Sequence, residues 1–524
     1  MTPFKSPSAD IIWSLVHVAE AARIDQFDGD MTGEILAHFA SFAEGVLAPI
    51  DAQGDAQGCR LQDGKVLMPD GYKDAFAQLV EGGWQGLTAP EKFGGLQMDT
   101  LTAAAVSEVF SGGNHALQMV CNLVPGAIST LLKFGSETQQ NDWIPRLASG
   151  DVLSTMCLTE SGAGSDLSRI RTKAVADGAT WKIHGEKIFI SGGDQDLSSG
   201  ILHLVLARTG DVSDGVKGLS LFLCPSDVGG TKNAITVTRI EEKLGLHASP
   251  TCQMSFDGAQ AELIGAQGAG LKAMFTMMNH ARLDVALQGV AHAARAHDIA
   301  ATYAKERKQG RTSEGHDAVL SDHADVIRML ETQDSLALGA RAMAHVAIVE
   351  LALGARPELV DFLTPICKVF CTEAGITSAD LGLQVLGGYG YLTEYRVSQT
   401  WRDARIASIY EGANGIHAAG LVTRGLRAQG GAGADAFECL IGELGQTVEL
   451  HKLTQTWKNA RATVEAADDP TLFGYEFMAL TAELFFRAVW VRMSEVAQQS
   501  GDADRIDRLA SRVARRPLPV ALPF

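Results

Sequence analysis

Glu411 stands between Tyr410 and Gly412 in the run Arg402-Asp403-Ala404-Arg405-Ile406-Ala407-Ser408-Ile409-Tyr410-Glu411-Gly412-Ala413-Asn414-Gly415-Ile416. A carboxylate followed by glycine can be brought against a ligand without side-chain obstruction, which makes Glu411 a candidate general base. A lone Glu-Gly pair is more often a solvated loop, so its weight rests on two elements upstream. One is Met156-Cys157-Leu158-Thr159-Glu160-Ser161-Gly162-Ala163-Gly164-Ser165-Asp166; the other is Lys187-Ile188-Phe189-Ile190-Ser191-Gly192-Gly193. Gly162 and Gly164 let a backbone approach a ligand and aim N–H groups at phosphate or carbonyl oxygens, and Thr159 and Ser165 add hydroxyl donors. These groups suit a large phosphorylated cofactor. A GxGxxG dinucleotide fingerprint needs a strand, a glycine turn and a helix in one βαβ unit, whereas Gly-Ala-Gly-Ser lies among β-prone runs.

The elements that must position these groups change texture along the chain. Residues up to about 150 show helical periodicity, as in Leu101 to Val109 and Gly126 to Phe134, with Pro90, Gly94 and Gly95 marking loops. From about 152 to 262 short β-prone runs follow one another: Trp181-Lys182-Ile183, Lys187 to Ile190, Leu202 to Leu206, Leu219 to Leu223 and Ile235 to Val237. Beyond Gly270 the pattern predicts long helices near 271–308, 318–352, 358–387 and 415–428, the makings of a bundle. Gly430-Gly431-Ala432-Gly433 reads as a hinge before further amphipathic helices such as Glu476 to Gln499. The expected class is α+β, mainly α. It comprises a helical N-terminal domain over 1–151, a central β-barrel or sandwich over 152–262, a helical bundle over 263–429 carrying Glu411, and an appended helical segment over 430–524.

At 524 residues with 46% hydrophobic and 20% charged content, the chain exceeds one core and is not disordered. Its 44 Lys and Arg against 62 Asp and Glu give a net charge of −18, which repels phosphate backbones and anionic membranes. Cys59, Cys121, Cys157, Cys224, Cys252, Cys367, Cys371 and Cys439 lack zinc-ligand spacing and read as buried thiols in a reducing, cytoplasmic compartment. His280 and His292 have no carboxylate or cysteine at metal spacing, so no metal is assigned. Ile11 to Val16 follows Asp10, with Lys5 the only basic residue before it, and reads as a helix start rather than an export signal. No apolar run approaches the roughly 18–20 residues that cross a bilayer, so no span is expected.

Taken together, CLTESGAGSD, KIFISGG, the Lys243-Leu244-Gly245 to Thr251 segment, Tyr303-Ala304-Lys305-Glu306-Arg307-Lys308, QVLGGYGYLTEY and IYEG make the chain resemble the acyl-CoA dehydrogenase family over about residues 80 to 425. Asp51 to Cys59, Gly83-Trp84-Gln85-Gly86 and the tail beyond 430 are similar to a longer group of the family that includes 3-methylmercaptopropionyl-CoA dehydrogenase. The resemblance implies FAD at a subunit interface of a homodimer or dimer of dimers. Met156 to Ser165, including Leu158 and Gly164, would line the flavin, with Thr159 bonded to its ring and Ser165 between pyrophosphate and substrate. Phe189 and Ser191 would flank the other side, where the family more often has tryptophan and threonine. From the neighbouring subunit, Arg307 would pair with the pyrophosphate and Gln384 to Gly388, including Gly387, would cover the adenosine half. Without that pattern, Arg307 reads as a solvated charge at a helix end.

For the substrate, the resemblance places Asn279 to Arg282 at the pantetheine of CoA, and Tyr410, Gly412 and Ser165 are further substrate-binding positions. Glu411 would take the α-proton of an acyl-CoA thioester while hydride leaves the β-carbon for the flavin. Its backbone N–H and an FAD ribityl hydroxyl would stabilise the thioester oxygen. Ala413 stands where the family commonly has threonine and His417 where it often has glutamine, so FAD contacts from Ala413, Asn414 and Ile416 are expected through the backbone. The product would be a trans-2-enoyl-CoA, with electrons passed to an electron-transfer flavoprotein. The subgroup favours the 3-methylmercaptopropionyl thioester, with short- or medium-chain fatty acyl-CoA as the alternative. Two rival readings remain open. A flavin oxidase, monooxygenase or desulfinase of the same fold would dispense with Glu411. A DNA-associated flavoprotein would need a basic surface, and only the extreme C-terminus, where Arg505, Arg508, Arg512, Arg515 and Arg516 cluster, is locally basic.

Overall fold

A computed structural model of the chain describes residues 2–518, without Ser313 and without the side chains of Asn279 and His280. The chain divides into two compact units: Met1–Glu44, Thr100–Gly113 and Arg282–Phe524 in one, Gly45–Asp99 and Asn114–Ala281 in the other.

The second unit holds the sheet. Strands β1 (Arg60–Gln62) and β2 (Lys65–Leu67) form a hairpin, as do β8 (Asp227–Val228) and β9 (Thr231–Lys232). The other seven are β3 (Val152–Cys157), β4 (Lys173–Asp177), β5 (Thr180–Ser191), β6 (Gly200–Arg208), β7 (Leu219–Pro225), β10 (Ile235–Ile240) and β11 (Thr251–Ile264). Neighbours run β10-β11-β5-β4-β6-β3, and β7 pairs with both β11 and β6, so β11-β5-β4-β6-β7 closes on itself as a barrel. The two β-prone runs at 181–183 and 187–190 belong to the single strand β5. Inward residues of β11 alternate as Cys252, Met254 and Phe256, then as Ala259 and Ala261, and bulges opposite β5 reset the phase. These side chains meet Ile183, Ile190, Val205 and Phe222 in the barrel core. Helix Leu123–Phe134 packs on β3, and helix Glu137–Ala148 begins at a capping box in which Ser136 and Gln139 each accept the other's backbone N–H.

The first unit is helical apart from a hairpin of strands β12 (Lys308–Arg311) and β13 (Asp317–Val319), which replaces the start of the helix expected at 318–352. It contains the Arg282–Glu306 part of helix Gly270–Glu306, then Ala324–Leu353 and Pro357–Leu386, close to the spans read from periodicity. The fourth expected helix, 415–428, is much shorter. The α-helix runs only Asn414–Gly420 and opens into a π turn, Leu421–Gly425, since Gly415, Gly420 and Gly425 weaken helical propensity. Helices Gly270–Glu306 and Pro357–Leu386 touch through glycines. A Cβ on Gly289 would lie 2.3 Å from the carbonyl oxygen of Cys371, and one on Gly375 would lie 2.6 Å from that of Gly289.

The segment beyond 430 is not hinged away from this unit. Gln429, Gly430 and Gly431 take φ of 50°, 70° and 91° and turn the chain sharply, with Gln429 and Gly430 exposed and Gly431 buried. Helices Ala432–Leu444, Val448–Ala466, Gly474–Glu495 and Ala503–Ala514 follow. Phe437 sits 5.4 Å from Phe362 and 5.3 Å from Trp457 between ring centroids, and Phe486 sits 4.8 Å from Phe370. The Trp457 indole donates to Thr481 Oγ1 at 2.9 Å, so the buried aromatic keeps its polar handle satisfied. Arg505 pairs with Asp334 and Asp10, and Arg508 and Arg512 with Glu331, which neutralises much of the basic C-terminus. The buried Arg341 grips Glu108 through Nε and Nη2 at 2.6 to 3.1 Å.

Two further sequence readings change. Cys439 is exposed and Cys59 only partly buried, while the other six thiols are buried. Two helical stretches among the described residues, Gly29–Gln57 and Ala324–Leu353, have the length and apolarity to cross a membrane, unlike the expectation that no such run exists; 83% of the apolar window of the latter is buried inside the protein.

Candidate active site

Glu411 follows a short 3-10 turn, Arg405–Ser408, and precedes helix Asn414–Gly420, with left-handed backbone at two successive residues: φ is 52° at Glu411 and 97° at Gly412. Holding a non-glycine residue there costs on the order of 1 to 3 kcal/mol, strain that marks functional loops. A Cβ at 412 would lie 2.8 Å from Nε2 of His417, so glycine is required on both counts. That nitrogen donates to the carbonyl oxygen of Glu411 at 3.0 Å. Burial, helped by Arg282 and Lys368, lowers His417 to about 4, so the imidazole is neutral and carries its proton on the donating nitrogen.

Beneath the loop, the fully buried Lys368 of helix Pro357–Leu386 donates from Nζ to the Gly412 carbonyl at 2.8 Å and to Asn414 Oδ1 at 2.9 Å. The Asn414 amide donates to Thr372 Oγ1 and to Glu373 Oε1, both at 3.2 Å. Glu411 keeps a partly open side, yet burial raises its carboxyl to about 7, opposed by the positive charges of Arg282 and Lys368. The same burial lowers Lys368 to about 8 and depresses Arg282, with Glu411 opposing both shifts. A carboxylate poised near neutrality between two cations can accept a proton from a weak acid at physiological pH.

Tyr410 is held alongside. Its phenol donates to Gln288 Oε1, the Gln288 amide donates to Asp284 Oδ2 at 2.8 Å, and the Ser107 hydroxyl donates to the other Asp284 oxygen. Burial pushes the phenol well above its ordinary range, so it stays protonated. Arg282, Tyr410, Glu411, Gly412 and Asn414 lie in one unit; Asn279 lies on the same helix as Arg282, with its side chain outside the described residues.

In the other unit the two glycine-rich elements join: Ile188 N–H donates to the Thr159 carbonyl at 2.9 Å. Buried Lys187 donates to the Leu158 carbonyl at 2.8 Å and to Glu160 at 2.9 Å, and the Glu160 carboxylate also accepts the backbone N–H groups of Arg171 and Thr172. Met156 is the penultimate residue of β3, and Leu158 is buried beneath the loop, while Gly164 and Ser165 are exposed. Phe189 is strained at φ 59° and 61% exposed, an aromatic ring presented at the surface, with Ser191 at the end of the same strand.

A third cluster lies in the helical unit, where the Arg307 guanidinium stacks over Tyr389 at 5.4 Å, next to exposed Gln384, Gly387 and Gly388. A Cβ added at Gly162, Gly164, Gly387 or Gly388 would meet no protein atom within 4 Å, so internal packing does not explain these glycines. Backbone open to an outside group, an exposed aromatic wall and exposed hydroxyls fit FAD. Ala413 is the N-cap of helix Asn414–Gly420 without a side-chain cap bond, the structural counterpart of the missing threonine hydroxyl. Among the described residues no group of three ligands could hold a metal. Sequence reasoning did not find Lys368, His417 as a loop anchor, or the Glu160–Lys187 pair; a lone lysine in the apolar run Ile366 to Phe370 was the available signal.

Three family models match in order: the acyl-CoA dehydrogenase N-terminal domain over residues 31–151, the middle domain over 155–259 and the C-terminal domain over 268–426. The chain is 38% identical over 499 residues to 3-methylmercaptopropionyl-CoA dehydrogenase of Ruegeria pomeroyi, covering 90% of this chain and 85% of that protein. It is 33% identical over 458 residues to a broad-specificity linear acyl-CoA dehydrogenase of Mycobacterium tuberculosis, covering 80% and 74%. The fold of Caenorhabditis elegans ACDH-11, solved in complex with C11-CoA, superposes with a TM-score of 0.82 over 99% of this chain and 93% of that one at 21% identity, tail included.

Proposed function

This chain belongs to the acyl-CoA dehydrogenase family and is an FAD-dependent oxidoreductase of acyl-CoA thioesters; on that premise we propose that Glu411 is its base and 3-methylmercaptopropionyl-CoA its preferred substrate. The observation that carries the first part is the Glu411 carboxyl, raised to about 7 in a strained loop between Arg282 and Lys368. Glu411 takes the α-proton onto its carboxylate, Gly412 leaves the approach open, and the Glu411 N–H steadies the thioester oxygen as charge develops. When bound, FAD supplies the acceptor for the β-hydride. Met156 to Ser165, Phe189 and Ser191 hold the flavin, and Arg307 with Gln384 to Gly388 serves the FAD of a second subunit in a cytoplasmic homodimer or dimer of dimers. Asn279 and Arg282 receive the pantetheine arm, and electrons leave to an electron-transfer flavoprotein.

Similarity to the Ruegeria pomeroyi enzyme along 90% of the chain supports the sulfur-containing substrate. The test is flavin bleaching by a panel of acyl-CoA thioesters under anaerobic conditions, with turnover compared between an artificial electron acceptor and oxygen alone. The expected result is at least a tenfold advantage in kcat/KM for the 3-methylmercaptopropionyl thioester over butyryl and octanoyl thioesters. Equal or better use of the straight chains overturns the substrate assignment, and failure of Glu411→Gln to abolish bleaching overturns the base.

A further inference from the structure

The loop that carries Glu411 has no regular secondary structure from Ile409 to Ala413, yet it holds a strained conformation. Its restraint comes from below. Lys368 is one of the few lysines with no exposed surface, and two of its donors reach residues on either side of Ala413: the Gly412 carbonyl and the Asn414 side chain. Asn414 extends the chain of bonds to Glu373, and the Tyr475 phenol, at the start of helix Gly474–Glu495, donates to the same Glu373 oxygen at 2.8 Å. Gly474 packs beside Ala418 of the short helix that follows the base, where a Cβ would lie 3.3 Å from the Ala418 carbonyl. The tail beyond 430 thus reaches the base loop through one hydrogen-bonded line: Tyr475, Glu373, Asn414, Lys368, Gly412.

Resting on the reading of Glu411 as base, we propose that Lys368 is a positioning residue that fixes the Glu411–Gly412 turn and lends its charge to the base, and that Tyr475 of the tail braces the same clamp from outside. Lys368 touches neither reacting atom in this scheme. It holds the main chain of the residue after the base and supplies one of the two cations, Arg282 being the other, that favour the ionised carboxylate. His417, bonded to the Glu411 carbonyl, and the Tyr410 phenol beside the base are neutral; the carboxylates of Asp284 and Asp403 act on Tyr410, and Arg424 acts on Arg282. Glu373 is the acidic group on the far side of the clamp.

The experiment compares flavin-loaded wild type, Lys368→Ala, Lys368→Met and Tyr475→Phe with one saturating acyl-CoA. Lys368→Ala is expected to lose roughly tenfold to a hundredfold in kcat with KM changed less than about threefold, and the acid limb of kcat is expected to move up by about one pH unit, because a cation beside the base has gone. Ethylammonium in the buffer should restore part of kcat and return the limb toward its wild-type position, which a purely structural loss would not do. Tyr475→Phe, at a residue 49% exposed, is expected to fold normally and lower kcat about twofold to fivefold without moving the limb. Should both Lys368 variants fail to fold, Tyr475→Phe decides: a wild-type kcat overturns the brace. Folded Lys368 variants with an unmoved acid limb, or no response to the amine, overturn the role of Lys368. If Glu411→Gln remained active, the base would lie elsewhere, and that failure is distinct from an unmoved limb in a protein whose Glu411→Gln variant is dead.

Discussion

His417 and Gly412 fit together with no spare volume: the imidazole that anchors the Glu411 carbonyl at 3.0 Å occupies the place a methyl group at 412 would need. The base loop therefore depends on a glycine for its backbone angle and on a histidine for its anchor at once.

Gly412→Ala should disturb both. The left-handed φ of 97° and the 2.8 Å approach of its Cβ to His417 force the loop to shift, and a displacement of about 1 Å at a reacting group lowers turnover by roughly a hundredfold. Steady-state kcat beside an unchanged flavin content checks it.

Glu411→Gln is expected to keep bound flavin and thioester affinity while losing at least a thousandfold in flavin reduction. In the wild type, kcat should rise through a limb near pH 7, since the carboxyl raised to about 7 must be ionised to act. Stability runs the other way. The folded-state value lies above the ordinary 4.5, so the folded protein binds the extra proton between these values and stability falls as pH climbs through about 7, then levels. The glutamine variant lacks this loss and should be more stable than wild type by about 2 kcal/mol at pH 8, less at pH 5, measured by urea denaturation.

Arg341→Met leaves the buried Glu108 carboxylate without its guanidinium. Burial already raises Glu108 and Arg341 opposes that rise, so its removal should cost about 3 to 5 kcal/mol at pH 8 and less at pH 5, where Glu108 takes up a proton. Replacing Glu108 by Gln in the same chain should recover part of the loss.

Truncation after Gly430 should not release an intact bundle. Phe362 and Phe370 would lose Phe437 and Phe486 as neighbours, exposing an aromatic face, and the shortened chain is expected to aggregate or bind a hydrophobic dye, as followed by light scattering.

Much of this architecture could be read from the residues because periodicity is local. The strands at 202–206, 219–223 and 235–237 and the helices near 271–308 and 358–387 reappear within a few residues, while the helix expected at 318–352 begins only at Ala324, behind a strand and a 3-10 turn. The shortened helix after Asn414 was missed because three glycines and a π turn interrupt an otherwise apolar pattern. The reversal at 429–431 reads as a hinge because glycine signals a turn equally in a mobile linker and in a tight reversal. Glu411 was legible through its motif. Lys368, 43 positions away in sequence, was not, since nothing in the run Ile366 to Phe370 tells which loop a buried amine will reach.

Arg282 and Lys368 each sit about two helical turns ahead of a glycine, Gly289 in one helix and Gly375 in the other, and those two glycines are where the helix backbones meet. The spacing between the two cations is thus fixed by a junction neither of them touches. Any side chain inserted there would wedge the helices apart and drift both charges from the carboxylate together, so the acidity of the base is governed in part by the smallest residues in the protein, roughly 10 Å away along each rod.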